Sequence, residues 1–348
     1  MSVFRLSLWS RVIPLVLLPC LSACAQAATV QSSFPVGQQT VAAGTVHEAS
    51  MRTPIAFPAP ALTAEEEVLA KELRQGIGSS MAPENPVAAS HALAAARTLL
   101  ARETIQIDHP QTMLVVDRSQ AVQRLWIVIA KPGAEPWPVI GSVKVSTGRP
   151  GRKEHFKSPV GVFTNTPAIL GYRALGTVNE NGIRGIGQKG MRVWDFGWQT
   201  TEDWRKKGAL TAVRLEMHAT DPNFLEGRLG RADSEACIRI PARFNTFMDR
   251  FGLIDARLTA LAPTSRAIAA LLPKDATPTP LAGDKVVVVD TSDPEAMPSD
   301  PVEAQQIQDR FAQWLAAQPP APTPVKASPV VGGPVQMSPA SAEAHNTL

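Results

Sequence analysis

Residues 217–239 read M-H-A-T-D-P-N-F-L-E-G-R-L-G-R-A-D-S-E-A-C-I-R. Cys237 is the only cysteine beyond residue 24, and His218 lies nineteen residues before it. A cysteine and a histidine that meet in space form a nucleophile with its base, the pair used in acyl transfer. The residues leading into His218, Val213-Arg214-Leu215-Glu216-Met217, alternate in polarity, which predicts a strand that ends at the histidine and holds it rigidly. After Cys237, Ile238-Arg239-Ile240 is a short apolar segment and Pro241 suits the first position of a helix. Phe244, Phe247, Met248 and Phe251 then follow at helical spacing, with Gly252 as the stop. This places Cys237 just ahead of a helix N-terminus, which lowers a thiol pKa, as does a neighbouring imidazole. The competing reading is a surface histidine and a buried, inert cysteine. Zinc has no ligand set here, because no other Cys or His stands near the pair at coordinating spacing.

Working upstream, residues 113–117 and 123–129 predict a hairpin about Ser119-Gln120, and residues 137–145 a further strand. Ser146-Thr147-Gly148-Arg149-Pro150-Gly151 is a loop by composition, and Ser158-Pro159-Val160-Gly161-Val162-Phe163 opens the next strand. The Gly-rich stretch that follows reads as irregular to about Gly208 and carries Trp194, Trp198 and Trp204. Its length and tryptophans suggest that the insert 164–212 caps a cleft. Helices are expected at 63–75, with Thr63 as N-cap and Glu65 to Glu67 in the first turn, and at 88–102. This pair reads as a spacer spanning 61–108.

Downstream, 266–272 suggests a short helix and 285–290 an edge strand. Residues 302–318 form an amphipathic helical pattern with Ile307, Phe311, Trp314 and Leu315. Short strands with few helices between them predict a mostly-β fold, a compact β-sandwich or barrel-like domain over 112–262. An accessory segment, 263–318, and a Pro/Ala/Ser/Val-rich tail expected to be disordered, 319–348, complete the chain.

Composition sets the outer limits. The 31 prolines crowd both ends of the 348 residues, which argues for a folded centre with extended flanks. A net charge of +3 with 5% aromatics and no basic stripe gives no footprint for nucleic acid. Residues 1–27 have the form of a secretory signal peptide: Arg5 and Arg11, an apolar run over 12–21 too short to span a bilayer, then small residues. Two processing routes fit. Ala25-Gln26-Ala27 suits cleavage before Ala28, and Leu21-Ser22-Ala23-Cys24 resembles a lipobox that would leave an acylated Cys24 and a lipid anchor as the sole tie to the membrane. Residues 28–60 then read as a flexible tether. By either route Cys237 is left without a disulfide partner in an oxidising bacterial envelope, which favours a reactive role.

The pattern H-A-x14-S-E-A-C-I-R resembles the signature of the L,D-transpeptidase catalytic domain (the YkuD-like family): His-Gly, a similar gap, then Ser-His-Gly-Cys, an apolar residue and usually Arg. Ser146-Thr147-Gly148 is similar to the family's Ser-Thr-Gly loop, and residues 158–163 to its Thr-Pro-Thr-Gly-x-Phe block. The blocks stand in the family's order over about 112–262. The resemblance implies Cys237 as nucleophile and His218 as base. It implies the Ala219 carbonyl as the group orienting the imidazole, and N–H groups near Ala236 and Cys237 as the oxyanion hole. Ser234 would fix the loop, and Arg239 would support the site or meet a substrate carboxylate. The implied substrate is a peptidoglycan stem peptide, with D-Ala leaving and an amine acceptor or water taking the acyl group, and no cofactor. A hydrolytic L,D-carboxypeptidase and a non-catalytic peptidoglycan-binding scaffold are the other outcomes. Two positions depart from the pattern. Glu235 stands where the family has its second His, with a charge expected to raise the thiol pKa. Ala236 stands where it has Gly, which would strain the backbone if φ there were positive.

Overall fold

In a computed structural model, residues 61–317 are described. The segments read as a signal peptide, a tether and a tail, 1–60 and 319–348, lie outside these residues. Sheet A has the strand order β3-β2-β1-β9-β4 and sheet B the order β5-β6-β7-β8. Both are mixed: β1 and β9 run parallel in sheet A, β7 and β8 in sheet B, and the remaining pairs are antiparallel. Neither sheet closes into a barrel, so the barrel-like part of the expectation is set aside.

Sheet A is built from β1 (Gln111–Asp117), β2 (Arg124–Ala130), β3 (Val139–Lys144), β4 (Gly161–Thr164) and β9 (Lys285–Val289). Its central strands are buried on both sides, which explains their near-continuous apolar runs. One face, with Leu114, Val116, Leu125, Ile127, Val286 and Val288, joins the core shared with sheet B. The other face, with Met113, Val115, Trp126, Val128, Val287 and Val289, is covered by α2 (Pro86–Arg102) through Ala92, Leu93, Ala96 and Leu99. On the shared-core side, α1 (Ala64–Ile77) contributes Leu69, Leu73 and Ile77. Thr63 caps α1 in a reciprocal box with Glu66, whose buried carboxylate also accepts from Lys131 Nζ at 2.8 Å. The helical pair expected as a spacer is therefore part of the packed unit, because its apolar faces are needed to cover sheet A.

The domain boundary at 262 is corrected as well. Far from being an edge strand, β9 sits between β1 and β4 in the interior of sheet A, paired Leu114↔Val286 on one side and Phe163↔Val286 on the other. A Val-Val-Val-Val run is the mark of a strand covered on both faces.

Sheet B comprises β5 (Tyr172–Arg173), β6 (Arg192–Glu202), β7 (Leu210–Ala219) and β8 (Ile238–Ile240). The stretch expected as irregular thus contains an eleven-residue strand. Trp194 is buried in the shared core, its indole N–H donating to Asp255 at 3.2 Å. Gly197, with φ +79°, marks the bulge between Asp195 and Trp198 that breaks the strand's alternation. Along β6, β7 and β8 the residues Trp194, Phe196, Leu215, Met217, Ile238 and Ile240 enter the core. Asp195, Glu216, His218 and Arg239, the residues between them, leave on the other side.

The helix α3 (Ala242–Phe251) follows β8 and packs Phe244, Phe247 and Met248 into the same core. Short helices α4 (Ala256–Leu261) and α5 (Arg266–Leu271) form a small cluster through Leu258, Ile268 and Leu271. Helix α6 (Pro301–Ala316), capped by Asp300, runs beside β6 and β7. Its expected apolar stripe is only partly covered: Ala304 is buried, Trp314 and Leu315 are exposed, and Phe311 stacks on Trp314 with centroids 5.8 Å apart. Among the described residues no helix is long and apolar enough to cross a membrane.

Candidate active site

The parallel pairing of β7 with β8 sets the site. Its register, Met217↔Ile238 and His218↔Arg239, puts Cys237, the residue just before β8, beside Glu216. Three blocks distant in sequence meet here. Ser146 and Arg239 exchange backbone hydrogen bonds at 3.0 and 2.9 Å. Ser234 N–H donates to Thr147 O at 3.1 Å, and Arg149 N–H to Ser234 O at 2.9 Å. The Ser158 hydroxyl accepts from Gly148 N–H at 3.0 Å and donates to Ala236 O at 2.5 Å. Gly148 admits no side chain, since a Cβ there would lie 1.9 Å from Phe156 O. Gln123, buried and at φ +43°, clamps the loop from below: its side chain donates to Thr147 Oγ1 at 2.7 Å and accepts from Thr147 N–H at 2.8 Å. Such a conformation costs a non-glycine residue about 1 kcal/mol. The two hydrogen bonds with Thr147 hold Gln123 in it.

The turn carrying the thiol is closed by Ser234, whose hydroxyl donates to Cys237 O at 2.6 Å. Ala236 is buried against Phe156 and Val213 and is absent from the positive-φ residues, so its methyl brings no backbone strain. Cys237 does not stand at a helix N-terminus. β8 intervenes, and α3 starts only at Ala242. No helix end is therefore placed to lower the thiol.

His218, 3% exposed at the end of β7, has its Nδ1 2.8 Å from the carbonyl of its neighbour Ala219. In the tautomer that donates there, Nε2 is left as the acceptor. Burial drives its pKa from 6.5 down to about 4, with Arg239 adding to the fall and the Ala219 contact opposing it. The Cys237 thiol is pushed the other way, up to about 12. Burial is the main cause and the Glu216 carboxylate the next, while the Glu216 N–H and the Arg239 cation oppose the rise. Both shifts favour the uncharged forms, and among the described residues no hydrogen bond joins the thiol to the imidazole.

Glu235, exposed, acts on the thiol as a weaker like charge than Glu216 and pairs with no arginine among the described residues. Its backbone carbonyl accepts from Phe156 N–H at 2.6 Å. Arg239 donates through Nη1 to Asp233 O at 3.1 Å and lies 3.9 Å from the Asp233 carboxylate; its buried Nε has no protein partner among the described residues.

Two residues of the site did not figure among the sequence candidates. Glu216 accepts from the Tyr172 hydroxyl at 3.2 Å; burial, with Asp195 adding, raises its pKa, and the Tyr172 hydroxyl and the Arg214 cation oppose the rise. Its register partner Asp195 is already paired with Arg214 at 2.7 Å. The signal for Glu216 was in the strand alternation: it shares a face of β7 with His218. Tyr172 carried no such signal, since β5 is two residues long. What covers the strand end is the loop 174–191, not the tryptophan-bearing hairpin. Arg184 N–H donates to Asp221 at 2.8 Å, and a Cβ on Gly187 would come within 2.9 Å of the Ala219 Cβ. Among the described residues no group of His, Cys, Asp and Glu is arranged to hold a metal ion.

No family model matches the chain, and no curated protein matches it. Among solved structures, the chain is similar to Bd1075 of Bdellovibrio bacteriovorus at 14% identity, over 61% of this chain and 59% of that one, with a TM-score of 0.26. That overlap leaves much of both chains unmatched, and a likeness so loose carries no argument about fold or activity.

Proposed function

We propose that the chain is an exported cysteine acyltransferase of the L,D-transpeptidase kind, with the two packed sheets as its catalytic sandwich and a peptidoglycan stem peptide as substrate. The observation that carries this reading is the convergence of Ser146-Thr147-Gly148, Ser158 and the Ser234–Arg239 segment around one thiol. Nothing about a buried structural cysteine requires three such blocks to meet there. Cys237 Sγ attacks the L-centred carbonyl of the third stem residue as its proton passes to His218 Nε2. The N–H groups near Ala236 and Cys237 take the oxyanion. The imidazolium, held through Nδ1 by Ala219 O, returns the proton to the departing D-Ala amine, leaving a thioester. An acceptor amine then attacks the thioester, His218 takes its proton, and the C–S bond breaks as that proton passes to Cys237 Sγ. Because burial disfavours the charged form of both the thiol and the imidazole, proton transfer accompanies the attack itself.

The absence of a thiol–imidazole hydrogen bond among the described residues favours a second reading, a non-catalytic wall-binding protein that keeps the fold. Incubation with a disaccharide-tetrapeptide separates the two. The enzyme releases D-Ala, Cys237→Ala abolishes that release, and the product mass tells a cross-linked dimer from a free tripeptide. Equal inertness of wild type and variant sinks both the transferase and the carboxypeptidase.

A further inference from the structure

Seven of the chain's 34 Lys and Arg residues lie on two neighbouring segments. The β3–β4 loop carries Arg149, Arg152, Lys153 and Lys157, and the β6–β7 turn carries Arg205, Lys206 and Lys207. The two segments are fastened together. The Trp204 indole N–H donates to His155 O at 2.7 Å, Thr201 Oγ1 donates to Lys157 O at 3.0 Å, and the Arg205 guanidinium lies 5.0 Å from the centre of the Phe156 ring. Three of the cations are answered: Arg205 by Asp203, Lys153 by Glu154, and Lys157 by Glu202 and Asp290. Arg149, Arg152, Lys206 and Lys207 are exposed and have no carboxylate partner among the described residues. Trp204, 44% exposed, stands among them.

This basic rim is continuous with the nucleophile's turn. Arg149 and Phe156 donate their backbone N–H groups to the carbonyls of Ser234 and Glu235, three and two residues from Cys237. Nearer the thiol the charge reverses, at Glu235 and Glu216. Like charges held together without partners repel one another, and a polyanion relieves that repulsion. We infer that Arg149, Arg152, Lys206 and Lys207, with Trp204, form a docking rim for a polymer bearing repeated carboxylates, which it lays beside Cys237. The inference rests on the acyltransferase reading for the identity of that polymer, the wall peptide whose own carboxylates flank the carbonyl under attack. A bilayer is the poorer occupant. A flat anionic surface on a rim so close to the thiol would seal the cleft, whereas a chain laid along it still delivers a carbonyl.

The test is binding of the full mature chain, carrying Cys237→Ala throughout so that nothing turns over, to insoluble peptidoglycan sacculi. Untreated sacculi are compared with sacculi whose carboxyls have been amidated. A second protein adds Arg149→Ser, Arg152→Ser, Lys206→Ser and Lys207→Ser, all at exposed positions, with its melting curve checked against the first. The rim predicts roughly tenfold weaker binding on amidation, the same loss in the fourfold variant, no further loss when the two are combined, and a shrinking difference as salt rises. Undiminished binding by the fourfold variant, or indifference to amidation, overturns the inference. So does capture by phosphatidylglycerol vesicles that depends on the four cations while sacculus binding does not. D-Ala release by the wild-type chain is read separately, so a failed rim and a failed enzyme give different results.

Discussion

The two sheets share one core but are built to different rules. Sheet A is covered on both faces, by sheet B with α1 and α3 on one side and by α2 on the other, and its central strands carry little but aliphatic side chains and Trp126. Sheet B gives one face to the same core and carries the ionisable side chains of the candidate site on the other: Met217 and Ile238 point in, while Glu216, His218 and Arg239 point out. Sheet A is thus given over to packing, whereas sheet B both packs and presents the candidate site, with His218 and Asp195 on its outer face themselves buried. The rigid backing holds His218 and the Cys237 turn in register.

The largest effect should come from breaking sheet A. A chain ending at residue 262 loses β9 and leaves β1 and β4 with bare edges inside the sheet, so it should lack a cooperative thermal transition that residues 61–317 retain. A cooperative melt from the shorter chain would mean that β9 is dispensable. A smaller and different effect is expected on sheet B. Glu216→Gln removes the largest like charge facing the thiol, lowers its pKa from about 12, and so raises the thiolate fraction at any pH below it. Alkylation by iodoacetamide at pH 8 should quicken by roughly threefold to tenfold, a tenfold change being one pKa unit, while stability stays within about 0.5 kcal/mol of the parent. An unchanged alkylation rate, or a large fall in melting temperature, would erase the division of labour between the sheets.

The same division explains what the sequence disclosed. Apolar runs of sheet A such as Met113-Leu114-Val115-Val116 announce strands plainly, and the alternation over 213–218 announced β7 with its histidine. The position of β9 was hidden because its parallel partner β1 lies about 170 residues away and local pattern carries no pairing information. Strand β6 was hidden because nearly all of it is covered, which removes alternation, and because the Gly197 bulge resembles a loop. The helix dipole expected at Cys237 failed on three residues: β8 is long enough to move the start of α3 away from the thiol. The doubt attached to Ala236 dissolved for a backbone reason, its φ. The doubt attached to Glu235 passed to Glu216, whose closeness to the thiol is a matter of register across two strands and invisible in linear order.

One reactive thiol, that of Cys237, is the centre of the proposed chemistry. Intact-mass spectrometry of the mature chain after incubation with a carbapenem should show a single adduct of the drug's mass, absent in Cys237→Ala and lost or strongly slowed in His218→Ala. An unmodified mass in the wild type, or an adduct that survives Cys237→Ala, would contradict it.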